Sequence, residues 1–505
     1  MNYNKKLIVL LIICLSVQAL ANQPYTIVDT GQIRCYNNST EIQYPKFTAA
    51  FSGQDAQYNG NQPAYKDNGN GTVTDLNTDL MWQQNPGSKK TFDQAVAGAS
   101  KCKIGGHTDW RLPTIKELYS LILFSGTDPD PMSTGTSAQR PFIDAKHFKF
   151  QYGNSRNGGR VIDSQYATST IYRSTTMNGN KTMFGVNFAD GRIKGYPAGG
   201  TRGRKEKTYY VMYVRGNTEY GKNDFVDNRD GTITDNATGL TWMKVDSGKL
   251  KAGSTKDGKM NWQQALDWAE NLEYAGHSDW RLPNAKELHS IVDYSRCPDV
   301  TNSAAIDQVF DTTQITNQGG KPDYPYYWTS SSHTKITQAR SAVYIAFGRA
   351  LGLMQDNRTG TKNLMDVHGA GAQRSDAKTG DRSQLPQSRG PQGDVLRTYN
   401  FVRCVRGGEV QPRTTGPKVE MKQTSPRQRP QRQQGQMQPD RQRQQRPNFV
   451  QRLDKNGDGK VSKNEFDGPP QHFNQLDKNK DGYLSSDEAP QGPPQGRNDR
   501  RYNRN

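Results

Sequence analysis

The sequence is poor in the residues that build membrane spans, redox centres and large apolar cores. Apolar residues make up only 32% of it, and beyond Val17 no run approaches the roughly 20 residues needed to cross a bilayer. Cysteine is scarce, with five in all. None stands in a Cys-x-x-Cys pair, so a thiolate zinc site and thioredoxin-like chemistry both lack their ligands. Histidine numbers seven, and acids, histidines and cysteines nowhere gather into a catalytic pattern, so the expectation is a non-enzymatic protein. Acidic residues are also in deficit, 49 against 67 lysines and arginines, for a formal net charge of +18.

What is present begins with a secretory signal. Lys5 and Lys6 precede an apolar run from Leu7 to Val17, followed by Ala19-Leu20-Ala21, a small-x-small cleavage site. Ile12 and Ile13 before Cys14 do not suit a lipid-attachment site. Residues 1–21 are therefore expected to be removed, leaving an exported protein in the periplasm, at the cell surface or outside the cell, with no transmembrane segment. Export redirects the positive charge away from nucleic acid and toward anionic polysaccharide, lipid head groups or acidic surfaces. It also leaves Cys35, Cys102, Cys297 and Cys404, an even number where disulfides persist. Structural disulfides are expected, with the connectivity open.

The chain is a duplication. DNGNGTVTDLNTDLMW from Asp67 recurs as DNRDGTITDNATGLTW from Asp227, and HTDWRLPTIKELYSLI from His107 as HSDWRLPNAKELHSIV from His277. ATST from Ala167 matches WTSSS from Trp328, FADGR from Phe188 resembles FGR from Phe347, and MYVRG from Met212 matches RCVRG from Arg403. Kept order predicts two domains, residues 22–218 and 219–408. The second carries a polar insertion, roughly Gln355 to Arg397. A Gln-, Arg- and Pro-rich stretch over 409–447 reads as a disordered basic linker. A short module over 448–490 and a disordered basic tail over 491–505 follow.

Within the repeats, the DNGxG stretches read as hairpins, because an EF-type loop needs a carboxylate at its twelfth position and here meets Thr78 or Thr238. Thr114 with Glu117, and Asn284 with Glu287, form capping boxes that start helices. His107 with Asp109, and His277 with Asp279, read as structural turns. Trp82, Trp110, Trp242 and Trp280 read as core. Two sets remain as ligand-binding candidates. Tyr326, Tyr327 and Trp328 are rings that would stack on sugar faces. Asp366, His368 and Arg374, with Asp376, lie in the insertion, which reads either as a binding loop or as a disordered segment.

The ordered set DNGxGTVTD, LMW, DWRLPTxKEL, WTSS, FxxG and VRCVRG resembles the Lcl C-terminal domain family, twice over most of Gln32 to Gly408. The resemblance implies a C-type-lectin-like fold, a mixed α+β scaffold shared with formylglycine-generating enzymes. It also implies surface adhesion and binding of sulfated polysaccharide. The terminal cysteine of the pattern is Cys404 in repeat two but Tyr213 in repeat one, while Cys102 corresponds to Leu272. The expectation set beside the resemblance is pairing within repeats, Cys35 with Cys102 and Cys297 with Cys404. Calcium-lectin sugar motifs and the paired thiols of the oxidases have no counterpart.

The C-terminal module reads as a small helical pair of EF hands. DKNGDGKVSKNE from Asp454 and DKNKDGYLSSDE from Asp477 fill every ligand position for Ca²⁺. Loop one offers Asp454, Asn456, Asp458, the Lys460 carbonyl and Glu465. Loop two offers Asp477, Asn479, Asp481, the Tyr483 carbonyl and Glu488. Val461 and Leu484 are expected to join the loops as a short bridge. Taken together, the expectation is an exported calcium-binding protein whose repeats bind a glycan or other surface ligand. The alternatives are an enzyme on the related scaffold, or a structural component of a surface assembly that docks a protein partner through its calcium module.

Overall fold

The computed structural model describes residues 23–419, except 134, 155–158, 178, 201–204, 357–358 and 382–386, and residues 449–488, except 467–469 and 486–487. The expected signal segment, most of the linker and the tail lie outside the described residues. The chain divides into a body within residues 1–421 and a C-terminal module within 422–505. The body is built mostly of β-strands with a few short helices, so the expected balance of helix and sheet in an α+β scaffold shifts strongly toward sheet.

Each repeat contains the hairpin read from its Gly-rich motif. Tyr65–Asp67 pairs with Thr72–Asp75, and Phe225–Asp227 with Thr232–Asp235. The turns are pinned by asparagine: Asn68 Nδ2 donates to the hydroxyls of Thr72 and Thr74, and Asn228 Nδ2 to those of Thr232 and Thr234. The hairpins extend into matching four-stranded antiparallel sheets, closed by Val214–Gly216 in repeat one and Val405–Gly407 in repeat two. Trp82 and Trp242 point inward at the same register with no exposed surface, each worth roughly 2–3 kcal/mol of burial.

Both expected capping boxes form, opening the helices Ile115–Tyr119 and Ala285–Ser290. These short helices pack beside a three-stranded antiparallel sheet: Gln165–Thr176, Asn180–Asn187 and Arg192–Pro197 in repeat one, and Tyr326–His333, Ser341–Ala346 and Gln373–Ala377 in repeat two. The insertion is ordered where described. It supplies the third strand of the second sheet, and its strand Lys362–Asp366 forms a further hairpin with Leu351–Gln355, which leads into it.

The repeats share a large central core in addition to a smaller apolar cluster in each. A single apolar cluster runs from Tyr25, Trp82 and Leu118 of the first half to Trp242, Leu288 and Val405 of the second. Two equivalent lysines stitch it across a pseudo-twofold axis. Lys116 Nζ donates to the Ser290 carbonyl at the end of the other helix, and Lys286 Nζ to the Ser120 carbonyl, each at 2.7 Å. Each ammonium thus satisfies helix-end carbonyls of the opposite repeat. Burial pushes both lysines down to about 8. Tyr119 and His289, also equivalent, meet at 4.4 Å between ring centroids.

The expected disulfides are not formed. Cys35, Cys102, Cys297 and Cys404 are all free and buried. Cys102 shares a core cluster with Tyr213, whereas Cys404 packs in one with Leu272. Each repeat keeps one cysteine of a matched pair of positions and fills the other with a bulky side chain, so neither sulfur faces a second one.

Candidate functional site

The expected sugar-stacking rings are structural. Tyr327 and Trp328 have no exposed surface, and Tyr326 retains 4%. Tyr327 donates its hydroxyl to Asp246 at 2.6 Å, and Trp328 its indole N–H to the Met260 carbonyl at 2.9 Å. Tyr326 lies under the Arg397 guanidinium, 3.9 Å from the ring centroid. Their strand is covered on both faces, which local sequence cannot reveal.

The second candidate set divides. Asp366 ties the repeats together by accepting the Tyr172 hydroxyl at 2.9 Å, and burial pushes its carboxyl up to about 7. His368 is buried, with Nε2 at 2.9 Å from Asp394 Oδ1. Burial and nearby Arg374 hold its imidazole down at about 4, hence neutral. Arg374 does reach a site. On strand Gln373–Ala377 it pairs with Asp394, and its buried Nη1 has no hydrogen-bond partner.

That site is a cleft of 370 Å³ where the two three-stranded sheets meet. Arg192 and Lys194 reach it from the last strand of the first sheet, and Arg374 from the last strand of the second. Lys207, Lys335, Arg340, Arg160 and Arg389 complete its basic lining, eight cations against the three carboxylates Asp128, Asp190 and Asp394. The carboxylates are already committed. Arg192 grips Asp128 through both guanidinium ends at 2.9 and 2.8 Å, and Lys194 donates to Asp190 at 2.6 Å. Despite burial, the Arg192 and Arg374 guanidiniums hold Asp128 and Asp394 respectively well below the usual carboxylate range. Lys207, Lys335 and Arg340 have no ion-pair partner among the described residues. Burial brings the Lys207 ammonium down to about 8. His333 forms part of the wall, stacked on Phe142 at 5.2 Å and held neutral near 3 by burial. The unpaired, half-buried Lys207, with the exposed Lys335 and Arg340 at the same concave site, attracts an anionic group. Periodicity and motif spacing did not disclose this cleft, because its cations come from segments far apart in sequence. Only Arg374 had been singled out.

In the C-terminal module, helices Phe449–Leu453 and Pro470–Leu476 lead into the two loops, and Val461 pairs with Leu484 as expected. Val450, Leu453, Val461, Phe473 and Leu484 form its small core. In loop one, Glu465 accepts the amides of Lys455 and Asn456 on one oxygen and the Ser462 amide and hydroxyl on the other. Those hydrogen bonds, the Ser462 hydroxyl foremost, hold its carboxyl down at about 2. Glu488 repeats the pattern with Lys478, Asn479 and Ser485. Asp454 and Asp477 accept the amides of Gly459 and Gly482. The residues fit Ca²⁺: all-oxygen donors, acidic side chains at positions one, five and twelve, and glycine at six with φ of 81° and 84°. Among the described residues no cluster of three or more acidic, imidazole or thiol side chains closes around one point, so ligation would draw these side chains together. Asp454, Asn456, Asp458, Glu465 and the Lys460 carbonyl would hold one ion, and Asp477, Asn479, Asp481, Glu488 and the Tyr483 carbonyl the second.

Two tandem domains of one plan followed by paired calcium loops define a duplicated-domain, calcium-binding protein. The Lcl C-terminal domain model matches residues 71–215 and again 231–364, together more than half of the chain. The chain therefore belongs to the Lcl C-terminal domain family. The EF-hand model matches residues 451–467 and 471–488, and the protein binds Ca²⁺ there. No curated protein and no solved structure matches the chain. No described helix is long and apolar enough to cross a membrane.

Proposed function

We propose that the protein is an exported, non-enzymatic surface protein that holds an anionic polysaccharide in the cleft between its two sheets. The C-type-lectin-like scaffold implied by the family resemblance carries the site, and the calcium module regulates or anchors it. Three cations without an ion-pair partner among the described residues, Lys207, Lys335 and Arg340, in one 370 Å³ cleft whose other five cations are paired, carry this reading. The basic linker adds nonspecific attraction that salt would screen within about 10 Å.

The test is binding of a sulfated polysaccharide to the mature protein. It is compared with a Lys207→Glu, Lys335→Glu, Arg340→Glu variant, with a variant lacking residues 420–447, and with a chelator present. Reversal in the cleft should weaken binding about tenfold or more, since each cation faces the ligand unpaired. Affinity should also fall as pH rises through about 8, where Lys207 loses its proton. Binding that survives cleft reversal but vanishes with the linker would assign the activity to the tether.

A further inference from the structure

The two repeats present one structural corner in opposite states. In repeat two, the corner between the WRLP turn, the helix Ala285–Ser290 and the strand Tyr326–His333 is filled by the chain's own N-terminal segment. Asp55, in the single turn Asp55–Gln57, accepts the Ser331 hydroxyl and the Thr30 hydroxyl. Gln32 brackets Ser332 like a neighbouring strand, its side-chain amide donating to the carbonyl and accepting from the N–H, both at 2.8 Å. The Tyr58 ring lies 5.4 Å from the Arg281 guanidinium. Ser330, Ser331 and Ser332 are consequently buried.

Repeat one keeps the same frame without the cover. The Ile115 amide donates to Thr170 Oγ1 as the Ala285 amide does to Ser331 Oγ. Ser169 and Ser330 both donate their amides to the carbonyl of the WRLP proline at 2.8 Å. Yet Ser169 is exposed, and Thr170 and Ile171 are half-buried. The Arg111 side chain is 31% exposed where its counterpart Arg281 is 6%. A 440 Å³ pocket opens there, with Arg111 and Thr170 in its wall. The Thr170 hydroxyl proton meets no acceptor among the described residues, whereas the proton of Ser331 goes to Asp55.

We propose that this open corner of repeat one is a docking site for a peptide segment of a partner protein, one that presents an acidic side chain to Thr170 and, three residues later, an aromatic ring to Arg111. The occupant's chemistry is the one this fold displays at the equivalent corner, where Asp55 and Tyr58 play those parts. A polyanion is the poorer fit. Arg111, Lys116 and Lys222 are balanced here by Glu117, Asp293 and Asp307, so the corner selects by hydrogen bonding and stacking and the cationic cleft by charge. The N-terminal segment remains on repeat two because its effective concentration there exceeds that of any free peptide.

The test uses the full-length protein and a synthetic peptide of residues 50–60 with a benzophenone in place of Phe51, followed by anisotropy and cross-link mapping. Saturable binding is expected, with cross-links in 111–117 or 165–176. Affinity should weaken about tenfold when the peptide aspartate becomes alanine or when Thr170→Val removes the donor, and Thr170→Ser should restore it. The alanine peptide needs no altered protein, so a folding defect in the Thr170→Val variant cannot imitate the result. Absence of saturable binding up to about 1 mM, cross-links confined to 326–333, or equal affinity of the alanine peptide would each overturn the proposal.

Discussion

The ion pair between the arginine of WRLP and the glutamate of KEL occurs in both repeats, yet its surroundings differ. Arg281 and Glu287 form a two-pronged pair, both bonds at 2.6 Å, with side chains 6% and 1% exposed. Arg111 reaches Glu117 through one nitrogen and stays 31% exposed. One motif therefore yields a pair buried on both sides in one place and, in the other, a buried glutamate held by an arginine that stays open to solvent. The difference is set by the stretch of the N-terminal segment around Asp55 and Tyr58, which packs on this corner of repeat two and not on its counterpart in repeat one. A repeated motif transmits geometry, and the cover decides its energy.

Breaking the pairs should show this most strongly. Arg281→Met leaves Glu287 buried without a counter-charge and should cost about 3–5 kcal/mol, whereas Arg111→Met, which opens the buried Glu117 to water from the side of the exposed arginine, should cost less, about 1–3 kcal/mol. Urea unfolding of the two variants measures the gap, and equal losses would mean the cover does not control the dielectric.

A smaller effect separates the repeats by pH. Burial, with Asp29 nearby, raises Asp55 to about 7, and repeat one has no carboxyl in the equivalent place. Between about pH 4 and pH 7 the folded chain keeps a proton that the unfolded chain releases, so this contribution is complete below the unfolded value and is lost as pH rises through 7. Asp366, also raised to about 7, adds a slope of the same sign. Asp55→Asn should flatten the decline in stability across that window by on the order of 2 kcal/mol. Thermal melts at pH 5 and pH 7 read the change, and a slope unaltered by the substitution would remove Asp55 from the account.

The smallest effect concerns backbone conformation shared by matched loops. Gly69 and its counterpart Arg229 sit at φ of 73° and 63°, and in the calcium loops Gly457 and Lys480 sit at 78° and 60°. The non-glycine member of each pair carries left-handed strain. Arg229→Gly should therefore stabilise the body by about 0.5–1 kcal/mol. Lys480→Gly should tighten Ca²⁺ binding at loop two by a few-fold at most. Calorimetry and melting of the single variants would check both, and destabilisation by Arg229→Gly would mean that side-chain contacts outweigh the strain.

Much was legible in the sequence where the physics is local. The hairpins follow from glycines and asparagine-threonine pinning, the helix starts from Thr114–Glu117 and Asn284–Glu287, and the calcium loops from ligands confined to twelve consecutive residues. The readings that changed depend on distant contacts. Tyr327 and Trp328 looked like surface rings because nothing near them announces the cover over their strand. The cysteines looked paired because an even count carries no information on which core each enters.

By itself, then, the sequence determined the duplication, the capped helices, the paired calcium loops and an overall positive charge, all of which depend on residue spacing or on summed composition. The tertiary structure alone decided three things: that the two repeats are joined by a shared central core and exchanged lysines, that scattered cations converge on one cleft, and that one corner is closed while its twin stays open. Those outcomes turn on which segments meet after folding and how much water they exclude. Burial converts the same arginine, lysine or aspartate from a solvated charge into a structural tie or a site.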